Sequence, residues 1–386
     1  MKPKLFRVTT VPESLNILLR GQHQFMSTNG FEVIGISSAG DALIEVSQKE
    51  EIKVFAINMS RKITPISDFL SVYKLYKQIK KDKPIIVHSH TPKAGIVSMI
   101  AAKIANVPIR LHTVAGLPLM EATGIKRKVL NFVEKITYAC ATKVYPNSKG
   151  LYDFIVEEKL ASSRKLKIIA NGSSNGIDTS YFNLDSISEQ QMKEFRLKLN
   201  IQSKDFVFVF VGRLVGDKGI NELIAAFSRF KNSNIKLLLV GGLESDLDPL
   251  NRDTIQKIHK NENIISVGFQ KDVRPYFAIS HCLVFPSYRE GFPNVVLQAG
   301  AMELPSIVSN INGCNEIIEE GINGIVIPPK NIESLYVTMK TMINNEINRK
   351  LLAANARNLI ISRYEQQFVW DALLTEYKSL LIDKGL

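Results

Sequence analysis

Short runs of β-branched and aromatic residues alternate along this chain with longer segments in which apolar residues recur at helical spacing. Residues 68–80 and 126–141 are two clear examples of the helical pattern. Because a helix fills the space between consecutive strands, the alternation predicts an α/β fold of parallel sheets covered by helices on both faces. The strands predicted in the first half are Leu5–Thr9, Glu32–Ser37, Lys53–Asn58, Pro84–His88, Ile109–Thr113, Lys143–Pro146 and Lys167–Ala170.

A polar stretch, residues 171–204, interrupts the alternation, which then resumes. The chain has 386 residues, which is too long for one ordinary hydrophobic core. We therefore expect two Rossmann-like domains, residues 1–180 and 181–362, and a C-terminal helix, residues 363–386, that crosses back to the first domain. The strands predicted in the second domain are Phe206–Val211, Ile235–Val240, Asn263–Val267, Cys282–Phe285, Ser306–Val308 and Gly324–Ile327.

Composition narrows the class of protein. Hydrophobic residues make up 45% of the chain, but no apolar run approaches the ~20 residues of a membrane span. The N-terminus enters a short strand directly, so we expect no signal peptide. Cys140, Cys282 and Cys314 lack the spacing of metal ligands, and we interpret them as buried free thiols of a cytosolic protein.

Basic charge is concentrated in the first half of the chain. The formal net charge is +12, and residues 1–185 hold 26 Lys and Arg against 15 Asp and Glu. Such asymmetry favours an anionic partner. Nucleic acid is not expected because no binding motif is present, whereas an anionic membrane surface fits. A solvated helix face is the alternative. The candidate residues are Arg61, Lys62, Lys126, Arg127 and Lys128, with Lys74, Lys77, Lys80 and Lys81 on a neighbouring helical pattern.

Two glycine-bounded turns carry the candidate chemistry. The first follows the strand at 206–211 and bears Arg213 and Lys218, a guanidinium fork and a point charge that both suit phosphate oxygens. The second, residues 290–293, reads Glu-Gly-Phe-Pro and begins a helix whose first free amides face a phosphate or a sugar hydroxyl. The carboxylate of Glu290 accepts hydrogen bonds from vicinal hydroxyls. The alternatives are solvated cations and a plain helix N-cap, but the combination indicates a nucleotide-sugar glycosyltransferase.

Histidines and carboxylates offer few other sites. His90 follows the fourth strand and is a candidate for contact with the transferred sugar, with a plain surface histidine as the alternative. His88 and His90 should point to opposite faces of that strand, so we expect no shared metal. His23 and His259 lie in helical patterns and are expected at the surface. The Asp246-Leu247-Asp248 segment is interpreted as the acidic start of a helix with Pro249 in its first turn, not as a metal site.

These residues resemble glycosyltransferase family 4, the retaining enzymes with the GT-B fold, over nearly the whole chain. Segments 112–118 and 145–148 look like those of a bacterial subgroup that builds capsule, lipopolysaccharide or related surface glycans. The motifs that carry the resemblance are Phe-Val-Gly-Arg-Leu at 210–214, Asp-Lys-Gly at 217–219, Val-Gly-Phe at 267–269, Phe-Pro-Ser at 285–287, Glu-Gly-Phe-Pro at 290–293 and Asn-Gly-x-Asp at 175–178.

The resemblance implies two Rossmann-like domains whose parallel sheets face each other across a cleft, the first binding the acceptor and the second the nucleotide-sugar. It implies catalytic roles for His90 and Glu290. Gln298 stands where the family usually has a second glutamate, and residues 9–12 replace a Gly-Gly turn. The implied diphosphate contacts are Arg213, Lys218, Gly291, Phe292 and Pro293, and the implied nucleoside contacts are Phe269, Gln270, Lys271 and Gln298.

The leading hypothesis is transfer of a hexose or N-acetylhexosamine from a UDP-sugar to a lipid-diphosphate-linked glycan. We expect no metal cofactor, and we expect a cytoplasmic protein at the inner face of the cytoplasmic membrane. A UDP-sugar epimerase or hydrolase on the same fold is the alternative, although the first half lacks a carboxylate-rich site. A nicotinamide-dependent oxidoreductase lacks its Gly-x-Gly-x-x-Gly motif. A non-catalytic sugar-binding relic is disfavoured by Arg213, Lys218 and Glu290.

Overall fold

The computed structural model describes residues 2–60, 64–120, 122–244 and 248–386. The chain divides into two compact units, one formed by Met1–Gly176 with Gln367–Leu386 and the other by Ile177–Gln366. The units separate between Gly176 and Ile177, a few residues before the predicted boundary at 180. The C-terminal segment belongs to the first unit from Gln367 onward.

The first unit is built on a six-stranded parallel sheet with strand order β3-β2-β1-β4-β5-β6. Its strands are β1 Lys4–Val8, β2 Glu32–Ser37, β3 Lys53–Ala56, β4 Ile86–Ser89, β5 Ile109–Val114 and β6 Lys143–Pro146. Its helices before the second unit are α1 Pro12–Leu18, α2 Gln22–Thr28, α3 Asp41–Lys49, α4 Pro65–Asp82, α5 Pro92–Ile104, α6 Gly124–Cys140 and α7 Lys149–Glu157.

The segment Lys167–Ala170, predicted as a seventh strand, is not one. A single bridge joins Leu166 to Val144, and the amide of Lys167 donates to the Val144 carbonyl at 3.1 Å. Ala170 then takes a left-handed conformation with φ of 51°, which ends extended pairing. Ile169 is buried, as an apolar residue in this segment would be, but the segment does not form a strand.

The second unit repeats the architecture with strand order β12-β11-β10-β7-β8-β9. Its strands are β7 Phe206–Val211, β8 Ile235–Val240, β9 Ile264–Gly268, β10 Cys282–Phe285, β11 Ser306–Ser309 and β12 Gly324–Ile327. Its helices are α8 Glu189–Lys198, α9 Ile220–Phe227, α10 Arg252–Lys260, α11 Arg274–Ala278, α12 Asn294–Ala301, α13 Cys314–Ile317, α14 Ile332–Asn344 and α15 Glu346–Tyr364. The last helix, α16 Gln366–Ile382, follows at once.

Both sheets reverse their strand order at the same place, which is called the topological switch point. Counted from the first strand of each unit, the order is 3-2-1-4-5-6, so β1 and β4 meet in the first unit and β7 and β10 in the second. Loops that leave neighbouring parallel strands in opposite directions open a crevice at their carboxyl ends, where ligands of such sheets bind. The predicted phosphate turns follow β7 and β10, and His90 follows β4.

Buried strands explain why the sequence pattern was easy to interpret. β7 has the sequence Phe-Val-Phe-Val-Phe-Val, and five of its six residues are buried. Strands covered by helices on both faces need such continuous apolar runs. In the first unit, α16 covers one face of the sheet, where Leu373 and Tyr377 join the core around Leu5 and Leu15.

Trp370 fixes α16 to the first unit. Its indole nitrogen donates to Asn175 Oδ1 at 2.6 Å, and its ring centroid lies 5.2 Å from that of Phe25. A Cβ on Gly21 would stand 2.6 Å from the indole ring, so only glycine fits beneath it. Cys140, Cys282 and Cys314 are buried free thiols, as the sequence predicts.

Candidate active site

The turns that follow β7 and β10 are in direct backbone contact. Gly219 has φ of 70°, and a Cβ there would lie 2.1 Å from the carbonyl oxygen of Pro286. The amide of Tyr288 donates to the Asp217 carbonyl at 2.8 Å. Because any side chain at Gly219 would push the turns apart, this glycine sets their close approach.

Lys218 and Glu290 meet across this contact. The ammonium of Lys218 donates to Glu290 Oε1, and each side chain is only 15% exposed. The hydroxyl of Ser287 donates to the same carboxylate oxygen at 2.8 Å. An ammonium carries three donors, so the ion pair leaves Lys218 able to bind further oxygens at the same point.

Arg213 is more accessible than Lys218. Its guanidinium donates to Glu244 Oε2 at 2.8 Å, and its side chain is 44% exposed. A further pair, Arg289 with Asp217 at 2.8 Å, joins the two turns. The arrangement concentrates cations at the switch point of the second sheet, with carboxylates that hold them in place.

Asp248 supports the first turn, a role that the sequence did not reveal. Its carboxylate accepts the amide hydrogen of Asp217, and its carbonyl accepts that of Gly216 at 3.1 Å. Helix α10 begins only at Arg252. The prediction that Pro249 lies in a helix first turn is therefore wrong. Asp246, the other predicted acid, lies outside the described residues.

The second turn presents free backbone amides. Pro293 is the N-cap of α12, and the helix begins at Asn294; Pro293 was predicted inside the first turn. The side-chain amide of Asn312 donates to the Glu290 carbonyl at 2.6 Å and holds the turn. In the part of the chain that the structure describes, no acceptor binds the amides of Gly291, Phe292, Asn294 and Val295. Such amides favour an anion.

The predicted nucleoside residues lie at two places in the second unit. Phe269 follows β9 and is 75% exposed. The side-chain amide of Gln270 donates to the Val267 carbonyl at 2.7 Å, and Lys271 is exposed. Gln298 lies in α12, half-buried. An exposed aromatic ring at the carboxyl edge of a sheet suits stacking on a base.

His90 lies at the switch point of the first sheet, but it is buried. Its side chain is 2% exposed, and neither ring nitrogen has a hydrogen-bond partner among the described residues. Burial, the neighbouring His88 and the cation of Arg7 lower the pKa of His90 well below its usual range. A neutral imidazole offers one donor and one acceptor, which matches a hydroxyl group.

Two expectations about histidines are wrong. His88 and His90 do not point to opposite faces, since their ring centroids are 4.1 Å apart. Residues two apart on a strand share one face of the sheet, and this relation continues from His88 to His90 although β4 ends at Ser89. His23 is not at the surface; it is fully buried in α2, and burial lowers its pKa to about 3. His259 is exposed, as predicted.

The predicted basic residues of the first unit differ in solvent exposure and in ion pairing. Lys126 and Lys128 are exposed on α6. Arg127 instead pairs with Glu158 at 2.6 Å and lies over the Phe154 ring. Arg61 and Lys62 lie outside the described residues. No helix within the described ranges is long and apolar enough to cross a bilayer.

No metal centre emerges from these side chains. Across residues 2–60, 64–120, 122–244 and 248–386, His, Cys, Asp and Glu form no group of three that could hold a metal ion.

Comparison with known proteins gives this architecture its class. A family model described as "Glycosyl transferases group 1" matches residues 191–359, and one described as "Glycosyl transferase 4-like" matches residues 10–148. Among solved structures, a glycosyltransferase from Rickettsia africae has a TM-score of 0.81 at 22% identity and covers 98% of this chain and 99% of its own. HepE of Anabaena in complex with UDP also gives 0.81, at 18% identity, over 98% of this chain and 100% of its own.

Curated relatives agree with this class. The capsular polysaccharide biosynthesis glycosyltransferase CapM of Staphylococcus aureus is 34% identical over 98% of this chain and 97% of its own length. A UDP-Gal:alpha-D-GlcNAc-diphosphoundecaprenol alpha-1,3-galactosyltransferase of Escherichia coli is 28% identical over 86% of this chain and 84% of its own length. The chain belongs to glycosyltransferase family 4 and has the GT-B fold of two Rossmann-like domains. It is a glycosyltransferase.

Proposed function

We propose that this enzyme moves a hexose or N-acetylhexosamine, with retention of configuration, from a UDP-sugar to a lipid-diphosphate-linked glycan in surface polysaccharide synthesis. The observation that carries the proposal is the Lys218–Glu290 pair at the switch point of the second sheet. A cation suited to a phosphate and a carboxylate suited to sugar hydroxyls meet in this one contact. Relatives whose names specify a diphosphoundecaprenol acceptor support the acceptor class.

The charges suit departure of a nucleoside diphosphate. As the bond between the sugar carbon and the phosphate oxygen breaks, negative charge develops on the diphosphate. Lys218, Arg213 and the four free amides that begin at Gly291 are fixed positive groups that stabilise this charge without reorganising. Glu290 accepts hydrogen bonds from the sugar, which orients it while the bond breaks. His90, from the first unit, is proposed to contact a hydroxyl of the transferred sugar.

The nucleoside is assigned to the exposed ring of Phe269, the adjacent Gln270 and Lys271, and Gln298 of α12. UDP and UDP-glucose occur in structures of HepE, a neighbour in fold, which supports uracil as the base. An amide at position 298 hydrogen-bonds ribose hydroxyls as a neutral group, where relatives of this family usually carry a glutamate.

We propose that transfer requires no metal ion, because cationic side chains already supply the charge that a metal would. The test is turnover in EDTA against turnover in buffer with added manganese. Equal rates are expected. Complete loss in EDTA, restored by manganese, would assign the leaving-group charge to a metal.

The first unit is proposed to rest on an anionic membrane surface through α4 and α6. Both helices pack against α5 and so lie in one layer. Each combines exposed lysines with exposed apolar side chains, the composition of a helix that lies in a membrane interface. The exposed apolar residues are Ile66, Phe69, Leu70 and Tyr73 on α4 and Ile125, Val129 and Phe132 on α6. The exposed lysines are Lys74, Lys77, Lys80 and Lys81 on α4 and Lys126, Lys128 and Lys135 on α6.

Liposome co-sedimentation of the full chain tests this surface. Each lysine near an anionic surface contributes about 1 kcal/mol, so charge reversal of Lys77, Lys81, Lys126 and Lys128 should abolish binding to anionic vesicles. Phe69→Ser with Phe132→Ser should weaken binding that persists in high salt, where charge attraction fades. Equal binding to neutral vesicles, or none to either, would reject the membrane surface.

The donor class is tested by a thermal-shift screen against UDP-, GDP- and ADP-sugars. Selective stabilisation by UDP-sugars is expected, because binding to the native state raises its melting temperature. The stabilising donor is then incubated with an undecaprenyl-diphosphate sugar, and the lipid product is analysed by mass. Stabilisation by another nucleotide class alone would overturn the donor assignment. Free sugar without a lipid product would favour hydrolysis.

A further inference from the structure

An arginine stands in the middle of a buried strand of the first unit. Arg7 lies in β1 between Phe6 and Val8, and its side chain is fully buried. A buried guanidinium is costly unless its donors are used. One nitrogen donates to Gln22 Oε1 and another to the Tyr377 hydroxyl at 2.9 Å. The carboxylate of Glu50, buried nearby, attracts the charge.

Tyr377 links Arg7 to His88 through its hydroxyl group. Its hydroxyl lies 2.5 Å from His88 Nδ1, and His88 Nε2 lies 2.8 Å from the Thr113 hydroxyl. A guanidinium has donors only. The Tyr377 oxygen therefore accepts from Arg7, and its own hydrogen is left for His88 Nδ1. With Nδ1 as the acceptor of this hydrogen, Nε2 carries the ring hydrogen and donates to Thr113.

The ring of His88 lies against the ring of His90. The two ring centroids are 4.1 Å apart with planes inclined by 36°. His90 itself has no hydrogen-bond partner for either nitrogen within the described ranges. Its ring is therefore held by packing, and His88 is the ring that packs on it. Asn147, Ser173 and Thr113 line the same small cavity as His90.

We propose that Tyr377, together with Arg7 and His88, forms a positioning chain that fixes the orientation of His90. The proposal rests on the proposed function, in which His90 contacts a sugar hydroxyl. It gives the last helix a role in the chemistry, since α16 supplies the link between a buried cation and the ring stacked on His90. Arg7, Tyr377 and His88 act through His90 and are not expected to touch substrate.

The test is the tautomeric state of the histidines, observed by NMR of the full chain labelled with ¹⁵N-histidine at neutral pH. In the wild type, His88 should show an unprotonated Nδ1 and a protonated Nε2. This result needs no variant and no substrate. A protonated Nδ1 on His88 would overturn the proposal at once, because the direction of the hydrogen bonds would be reversed.

The matched variants are Tyr377→Phe and Tyr145→Phe. Each variant removes one buried hydroxyl. Tyr377 belongs to α16, whereas the Tyr145 hydroxyl donates to Glu376 Oε1 of that helix at 3.1 Å and not to a histidine. Both rings pack edge-on against His88, with centroids 5.8 and 5.7 Å away. Tyr377→Phe should shift the ¹⁵N resonances of His88 and His90 and mix the His88 tautomers. Tyr145→Phe should leave the His88 tautomer as in the wild type.

Kinetics separate this proposal from the function on which it rests. Tyr377→Phe should lower kcat about tenfold or more, as small misplacements of a contact group do. The donor KM should change little, because the nucleotide residues lie in the second unit. Wild-type histidine resonances in Tyr377→Phe would reject the positioning chain even if turnover fell. If the wild type shows the predicted tautomers but turns over no UDP-sugar, the proposed function is rejected and the positioning chain is still supported.

Discussion

The two units share a strand order but carry different side chains where that order reverses. In the second unit the switch point holds ion pairs, Lys218 with Glu290 and Arg289 with Asp217. In the first unit it holds buried histidines beside a buried cation, Arg7. The topology fixes where a ligand binds, and the residue types at that place decide which part of the ligand is bound.

The difference is one of charge and of access to solvent. Cations that remain partly exposed, such as Arg213, are suited to an anion that must both bind and leave. Histidines that are fully buried stay neutral, because desolvation lowers the pKa of each of them. The second unit is thus suited to an anion, and the first to the hydroxyls of a sugar.

The largest effect is expected from removing the cations of the second unit. A hydrogen bond to a charged group contributes about 1.5–3 kcal/mol, so Lys218→Ala should weaken UDP binding by roughly 10- to 100-fold. Arg213→Ala should cost less, since its side chain is 44% exposed against 15% for Lys218. Isothermal titration with UDP measures both.

Lys257→Ala is the matched control for these variants. Lys257 pairs with Asp253 at 2.6 Å within α10, and it lies outside the two turns. Its removal should leave UDP affinity at the wild-type value. If Lys218→Ala also binds UDP with the wild-type affinity, the diphosphate does not bind at this turn.

Acid should destabilise the first unit before the second, because burial lowers the pKa of His23, His88, His90 and His112 in the first unit but only that of His281 among the histidines of the second. The buried carboxyl of Glu134, whose pKa is raised to about 7, offsets part of this loss in the first unit. Burial lowers the pKa of His23 to about 3 and of His112 to about 4, below the unfolded value of about 6.5. As pH falls below 6.5, the unfolded chain binds protons that the folded unit cannot. Each of these histidines should therefore cost about 2 kcal/mol of stability by pH 4.5.

Trp370 makes this measurable, because it is the only tryptophan and belongs to the first unit. Its fluorescence midpoint in urea should fall more steeply from pH 6.5 to 4.5 than the midpoint followed by circular dichroism. His23→Gln should flatten the dependence, and the exposed-site variant His259→Gln should not. Equal slopes for both probes would argue against neutral buried histidines.

The smallest effect concerns the ribose. Gln298→Glu should keep UDP affinity, because the family usually has a carboxylate at this position. Gln298→Leu should weaken it about fivefold, the effect of losing one hydrogen bond of about 1 kcal/mol. Unchanged affinity in Gln298→Leu would place Gln298 outside the nucleotide site.

The sequence predicted the sheets well because strands buried on both faces have an unmistakable pattern, as β7 shows. It also selected Lys218 and Glu290, since glycine-bounded turns with ionic side chains are local features. It did not reveal Asp248 or Tyr377, whose roles depend on partners distant in the chain. Arg7 was the available signal for the buried histidines, because a charged residue inside an apolar strand needs buried partners.

The most direct test of the account is hydrogen–deuterium exchange of the full chain with and without UDP. The account predicts slower exchange in peptides that cover residues 212–219, 268–271 and 286–298. The free amides that begin at Gly291 should show the strongest protection, because they would bind the diphosphate. Protection confined to peptides of the first unit, with none in these three segments, would contradict the assignment of the nucleotide to the second unit.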